Sequence, residues 1–310
     1  MKTFKGLAGV PAGFGPSVVT IGKFDGVHRG HRTLIERIRA IADERGLTTA
    51  VVTFDRNPLA LLAPDKCPDP LVSVRQKLEL LATTGVDATL MLPFDRALAS
   101  VPAAEFVERV LVDALHAEVV LVGRDFRYGA RGAGDVDLLV ELGERFGFSV
   151  EVVDDVRPEG ERRASSTWIR ELLAAGDVRH ATNLLGHTPT VSGIVVHGAK
   201  RGRELGFPTA NLTPESEGLI PADGVYAGWL TDAGTRYPAA ISVGDNPTFE
   251  GVAAKQVEAY VLDRDLDLYD HVVDVEFVER IRGMVAFTSI PDLIETMRDD
   301  VVRARAILAA

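Results

Sequence analysis

The first half of the chain alternates short apolar runs with amphipathic stretches. The runs are Ser17 to Ile21, Thr48 to Phe54, Ala88 to Pro93, Glu118 to Val122 and Ser149 to Val153. Helical spacing recurs between them. Leu34, Ile35, Ile38 and Ile41 share one face over roughly Arg32 to Glu44, and a second helix starts at Ser73, with Gln76 at capping-box spacing. A third opens with Pro102 in its first turn and carries Phe106, Val107, Val110 and Leu111; a fourth runs from about Asp135 to Phe146. Strand-length runs separated by helices predict an α/β unit with a parallel sheet and crossover helices. Ligands of such sheets sit beyond the carboxyl ends of the strands.

The texture changes after a last helical stretch, Val178 to Leu185, which Gly186-His187-Thr188-Pro189 breaks. Strand-like runs then follow closely: Thr190 to Val196, Gly224 to Leu230, Tyr237 to Val243, Val257 to Leu262 and Val272 to Phe277. Turn residues separate them, and a small antiparallel barrel is the simplest closure for such a set. Ser289-Ile290-Pro291-Asp292 caps a terminal helix. Two domains are therefore expected, 1–186 and 187–310, as a length of 310 residues also suggests.

Composition narrows the classes. No run of about 18 apolar residues is present, so no membrane span is expected. Cys67 is the only cysteine, which excludes an intramolecular disulfide and a cysteine-cluster metal site. These features favour the cytoplasm. A net charge of −11 disfavours nucleic acid as a partner but leaves room for nucleotides held by local basic patches, of which His28 to Arg32 and Lys200 to Arg203 are two.

The chemistry concentrates in loops after the expected strands. Gly22-Lys23-Phe24-Asp25-Gly26-Val27-His28-Arg29-Gly30-His31 joins a strand to a helix start, where free backbone N–H groups and the positive end of the helix dipole suit a phosphate. Asp55-Arg56-Asn57-Pro58 and Gly123-Arg124-Asp125-Phe126-Arg127-Tyr128-Gly129 follow two further strands. Arg163-Ala164-Ser165-Ser166-Thr167-Trp168-Ile169-Arg170 places hydroxyls between arginines at another helix start. In the second half, the stretch Gly198 to Leu212 combines glycines with Lys200, Arg201 and Arg203, and ends Gly206-Phe207-Pro208-Thr209-Ala210-Asn211-Leu212. Thr209 and Asn211 offer the oxygen ligands that Mg²⁺ accepts.

His28-Arg29-Gly30-His31 resembles the H-x-G-H signature of the nucleotidylyltransferase superfamily, and the ten-residue string narrows the resemblance to bacterial bifunctional riboflavin kinase/FAD synthetase. The Ser-Ser-Thr-x-Ile-Arg element and the Gly-Phe-Pro-Thr-Ala-Asn string resemble the same family in the same order. The resemblance implies a Rossmann-like FMN adenylyltransferase domain followed by a riboflavin kinase barrel. It implies two reactions: phosphorylation of riboflavin to FMN with ATP and Mg²⁺, and adenylylation of FMN to FAD with release of pyrophosphate. His28 and His31 would serve the transferring phosphate. Gly22, Lys23, Phe24, Asp25, Gly30, Arg163, Ser166, Thr167 and Arg170 would complete the ATP site, with Ser166, Thr167 and Arg170 on the pyrophosphate. Asn57, Asp125 and Arg127 would face FMN.

In the kinase half the resemblance assigns Gly198, Lys200, Gly202, Arg203, Gly206, Phe207, Pro208, Thr209 and Asn211 to nucleotide and flavin. Glu258 is the implied general base for the riboflavin 5′-hydroxyl, and Arg280 to Met284, with Arg282, the flap over the flavin. Three positions depart from the family pattern. Asn57 stands where a histidine is usual, Asp125 where an asparagine is usual, and Asp270 where glycine is common. Asp125 brings a carboxylate towards anionic ligands, with Arg56, Arg124 or Arg127 as candidates to offset it. These departures motivate an alternative, a riboflavin kinase whose adenylyltransferase site is weakened or altered. ATP, riboflavin and FMN are the expected partners, and a homo-oligomer is compatible with the sequence.

Overall fold

Hydrogen bonding in a computed structural model links six strands of the first half into one wholly parallel sheet. The structure describes residues 1–154, 162–198, 206–246 and 254–309. Chain contacts divide it into two units, Met1–Ser165 and Ser166–Ala310.

In the first unit the strands are β1 (Lys2–Lys5), β2 (Ser17–Ile21), β3 (Thr48–Phe54), β4 (Ala88–Leu92), β5 (Ala117–Gly123) and β6 (Ser149–Val153), in the order β1-β4-β3-β2-β5-β6. The chain steps from β2 outward to β3 and β4, then returns to lay β5 and β6 on the other side of β2. The crevice at the carboxyl end of β2 is thus the switch point of the sheet. All five residues of β2 are buried, as a central strand covered on both faces requires. One covering layer is α1 (Arg29–Arg45), whose Ile35, Ile38 and Ile41 pack on Val18, Val51 and Leu121. It is joined by α2 (Val74–Ala82), which carries the expected Ser73–Gln76 capping box. On the opposite face Val19, Ile21, Val52 and Leu90 meet Phe106, Leu111 and Leu139.

Leu111 belongs to α3, which runs as α-helix over Ala103–Phe106 and as π-helix over Val107–Ala114, where an ordinary α-helix was expected. Leu139 lies on α4 (Val136–Phe146), capped by Asp135, whose Oδ1 accepts from Leu138 N at 3.0 Å. The sheet also has a strand that periodicity did not reveal. β1 buries only Phe4 among exposed neighbours, and its lysines suit an unpaired edge.

The second unit opens with α5 (Ser166–Ala175) and α6 (Val178–Leu185). The sequence placed these helices with the first half and the joint at Gly186. The contact division instead groups them with the later residues, because α6 packs on strand β12 of the barrel. That barrel is closed from β7 (Thr190–Val196), β8 (Thr209–Leu212), β9 (Gly224–Asp232), β10 (Thr235–Asn246), β11 (Ala254–Val261) and β12 (Val272–Arg282), in the order β10-β11-β8-β7-β12-β9. All its neighbours are antiparallel. Strand β8 was not expected, since its four residues are too few to show a period. The terminal helix α7 (Ile290–Leu308) is capped by Ser289 as the sequence implied and packs Ala304 near Ala227, Ala240 and Leu262. Among the described residues, no helix is long and apolar enough to cross a membrane.

Phe277 is fully buried in the barrel and meets Tyr226 edge to face at 5.3 Å. Phe277→Ala is expected to cost about 3–5 kcal/mol through lost transfer energy and the cavity left behind. Denaturant unfolding of the variant against the parent chain checks this.

Candidate active sites

The last ladder bond at the carboxyl end of β2 is from Gly22 N–H to the Val52 carbonyl, at 3.0 Å. The chain then turns through Phe24, Gly26 and Val27 with φ of 49°, 79° and 40°. Valine at positive φ is strained, and the turn persists because Phe24 and Val27 are fully buried in the layer under α1. Asp25 Oδ1 accepts from Leu71 N at 2.9 Å, and the carbonyl of exposed Lys23 accepts from Thr53 Oγ1 at 3.0 Å. The turn therefore delivers His28 to the N-terminal flank of α1, where the helix dipole favours anions.

The His28 and His31 rings stack with centroids 3.7 Å apart, and Phe24 packs on His31 at 4.8 Å. A Cβ at position 30 would stand 3.2 Å from the His28 imidazole, so glycine keeps that ring in place. Burial holds the His31 pKa well below the usual imidazole value, and the positive charges of His28, Lys77 and Arg163 push the same way. At neutral pH His31 is thus an uncharged ring able to donate one N–H.

Two of the departures from the family pattern, Asn57 and Asp125, have definite partners. Asn57 Oδ1 accepts from Leu59 N at 3.1 Å, a local turn that needs no cation. Asp125 pairs with Arg163 at 3.0 Å. The three arginines expected to offset Asp125 are engaged with other carboxylates: Arg56 with Asp55 at 3.4 Å, Arg124 with Asp154 at 2.6 Å, and Arg127 with Asp135 at 3.0 Å. Arg163 also lies close enough to His31 to bias its protonation, so it links the loop after β5 to the histidine pair. Ser166, Thr167 and Arg170 lie on the first two turns of α5, which opens the second unit.

In the barrel, β8 and β11 pair antiparallel with Asn211 opposite Glu258. Thr209 Oγ1 donates to Glu258 Oε2 at 3.3 Å, and Asn211 Nδ2 donates to the Thr209 hydroxyl and carbonyl oxygens at 3.1 Å each. Gln256, two residues before Glu258 on the same face of β11, donates to Asn211 Oδ1 at 3.0 Å. Burial pushes the Glu258 pKa up, with the Thr209 hydrogen bond opposing it. Gly198 lies against this cluster so closely that a Cβ there would come 2.5 Å from Asn211 Oδ1. Gly198, Pro208, Thr209 and Asn211 line one cleft with Leu268 and Tyr269.

Gly206 has φ of +86°, and Phe207 packs on Tyr260 at 5.3 Å. Asp270 takes φ of 63°, which explains why a glycine is at home there. The Arg282 guanidinium forms a bidentate pair with buried Asp300 of α7 at 2.7–3.1 Å. Lys200, Gly202 and Arg203 lie outside the described residues.

Two participants escaped the sequence reading, Gln256 and Lys77. Lys77 is buried with its Nζ 2.7 Å from the Phe54 carbonyl. The available signal was its place four residues before fully buried Leu81, on the apolar face of α2.

A parallel sheet with a dipole-directed histidine turn at its switch point in one unit, and in the other a barrel holding a partly buried carboxylate against a hydroxyl and an amide, define a two-unit nucleotide-handling transferase. The family model described as FAD synthetase matches residues 12–168, and that described as riboflavin kinase matches 185–308. Relatives named bifunctional riboflavin kinase/FMN adenylyltransferase occur in Escherichia coli K12, 39% identical over 93% of this chain and 91% of the relative, and in Pseudomonas fluorescens, 38% identical over 100% and 98%. A crystal structure from Streptococcus pneumoniae, there called a macrolide-efflux protein, superposes with a TM-score of 0.88 at 31% identity, covering 98% of this chain and 99% of that one. The chain belongs to the bifunctional riboflavin kinase/FMN adenylyltransferase family.

Asp125→Asn removes the negative charge that pairs with Arg163. The variant is expected to bind ATP several-fold more tightly, with the gain shrinking as salt rises. Calorimetric titration at two ionic strengths checks it.

Proposed function

We propose that the barrel unit transfers the γ-phosphoryl group of ATP to the 5′-hydroxyl of riboflavin, giving FMN and ADP. The adenylyltransferase part of the chain joins AMP from a second ATP to FMN, giving FAD and pyrophosphate. The observation that carries this reading is the pairing of partly buried Glu258 with Thr209 and Asn211 in a chain that also holds the stacked His28–His31 pair at a sheet switch point. The kinase-only alternative rested on Asn57 and Asp125. It finds no support in a chain matched by both family models.

In the kinase site Glu258 takes the proton of the attacking hydroxyl. A partly buried carboxylate with a raised pKa is a better base than an exposed one, because its affinity for the proton is closer to that needed at neutral pH. Thr209 fixes its orientation by one hydrogen bond. Thr209 Oγ1 and Asn211 Oδ1 form a hard oxygen donor set that fits Mg²⁺, and the missing side chain at Gly198 leaves room against the Asn211 oxygen. When bound, Mg²⁺ would neutralise phosphate charge.

In the adenylylation site an FMN phosphate oxygen attacks the α-phosphorus and pyrophosphate departs, so the protein needs to supply position and positive charge. His28 and His31 meet the transferring phosphate, and Arg163, Ser166, Thr167 and Arg170 the leaving group. Lys23, Asp25 and Gly22 hold the turn that shapes this site. Arg127 and Asn57 border the flavin side. ATP as substrate and a lone cysteine suit a cytoplasmic enzyme.

Incubation with riboflavin, ATP and Mg²⁺ should give FMN first and FAD later. Glu258→Gln should nearly abolish FMN formation while leaving FAD formation from supplied FMN intact; equal loss of both in a folded chain would contradict separate sites. FMN formation should also fall as pH drops through a midpoint above the usual glutamate range, since the base works only when ionised and burial raises its pKa. A pH profile of kcat for each reaction reads this out.

A further inference from the structure

Parallel pairing between β2 and β3 stops at Ile21 and Val52, with Gly22 N–H bonded to the Val52 carbonyl. Beyond that point the carbonyls of Lys23 and Phe54 lie at the base of the histidine turn, where backbone acceptors need donors. Thr53 Oγ1 supplies one to Lys23 at 3.0 Å, and Lys77 reaches both carbonyls. This side chain is 8% exposed, and its Nζ lies 2.7 Å from Phe54 O, 3.4 Å from Lys23 O and 3.5 Å from Thr53 Oγ1. An ammonium with three donors matches three acceptors.

We propose that Lys77 is a positioning residue for adenylyl transfer: its buried ammonium clamps the carboxyl ends of β2 and β3 and so holds the turn that carries His28 and His31. The inference rests on the adenylyltransferase reading above. The clamp is caged from two sides. Asp25 and Asp55 counter the burial that disfavours the Lys77 charge. Each carboxylate is itself fixed by a backbone N–H, Asp25 by Leu71 at 2.9 Å and Asp55 by Phe94 at 2.8 Å.

The same ammonium acts on the site electrostatically. His31 faces positive charge from His28 on its own turn, Lys77 on α2 and Arg163 near the end of the unit, and all three disfavour its protonation. An uncharged imidazole in a fixed place can donate to a phosphoryl oxygen without first losing a proton or moving. Removing the ammonium therefore loosens the turn and lets His31 protonate more readily.

Lys77→Met in the full chain tests this. FAD formation from FMN and ATP is expected to lose about tenfold or more in kcat, as loss of one preorganised group does, with KM for ATP changed by less than about threefold. FMN formation from riboflavin, which uses the barrel, should be unchanged. The His31 titration followed by NMR should move upward, a shift that a merely structural bolt would not produce in a folded chain. A folded Lys77→Met protein with parental kcat and an unmoved His31 titration overturns the proposal. If the methionine chain does not fold, Lys77→Arg decides: a cation is kept, so His31 should stay low, while a planar guanidinium cannot reproduce the three-acceptor clamp and kcat should still fall. Full activity in that variant overturns the proposal. If the parent chain makes no FAD from FMN, the adenylyltransferase reading fails, while the His31 titration still reports on Lys77.

Discussion

The carboxyl end of β2 is where the backbone of the first unit leaves the ladder. Up to Val52 the strands β2 and β3 pair in parallel register, and Gly22 N–H closes on the Val52 carbonyl. One residue further the chain must turn, and it does so inside the protein, with Phe24 and Val27 buried at positive φ. Tertiary packing has to hold that turn, because its local conformation is unfavourable. Phe24 under α1, Asp25 on Leu71 N and Lys77 on the two strand ends do so together. His28 and His31 are rigid in consequence, and rigidity at a helix N-terminus is what a phosphoryl-transfer site requires.

The barrel reaches a comparable end by another route. Antiparallel pairing sets Asn211 directly opposite Glu258, so two short strands place an amide, a hydroxyl and a carboxylate together without strained backbone. Burial and a single hydrogen bond then adjust the carboxylate. In both sites a glycine is needed for space: Gly30 beside the His28 ring and Gly198 beside the Asn211 oxygen. These contacts explain, in this chain, why glycines stand inside the two motifs.

Much of this was legible in the chain alone. Buried strands such as β2 and β5 have dense apolar runs, and the Ser73, Asp135 and Ser289 caps stand at readable positions. β1 and β8 were not legible, because four residues show no period and their pairing is wholly long-range. Partner choice among arginines was equally hidden. Arg56, Arg124 and Arg127 stood nearer Asp125 in sequence or motif, yet Arg163 is the residue that meets it. Ion pairs depend on where loops converge, and sequence distance carries little of that. The place of Lys77 on an apolar helix face was visible, but its acceptors are carbonyls of other strands.

The amino-acid sequence by itself determined the order of α/β unit and barrel, the positions of the histidine turn and the Gly206–Asn211 string, and the family to which they point. These are properties of local period, capping and short-range motif, which neighbouring residues encode. Tertiary structure alone decided the neutrality of His31, the raised pKa of Glu258, the Asp125–Arg163 pair and the tie between Lys77 and two strand ends. Each of these depends on burial or on charges brought from distant segments, and both quantities exist only once the chain has folded.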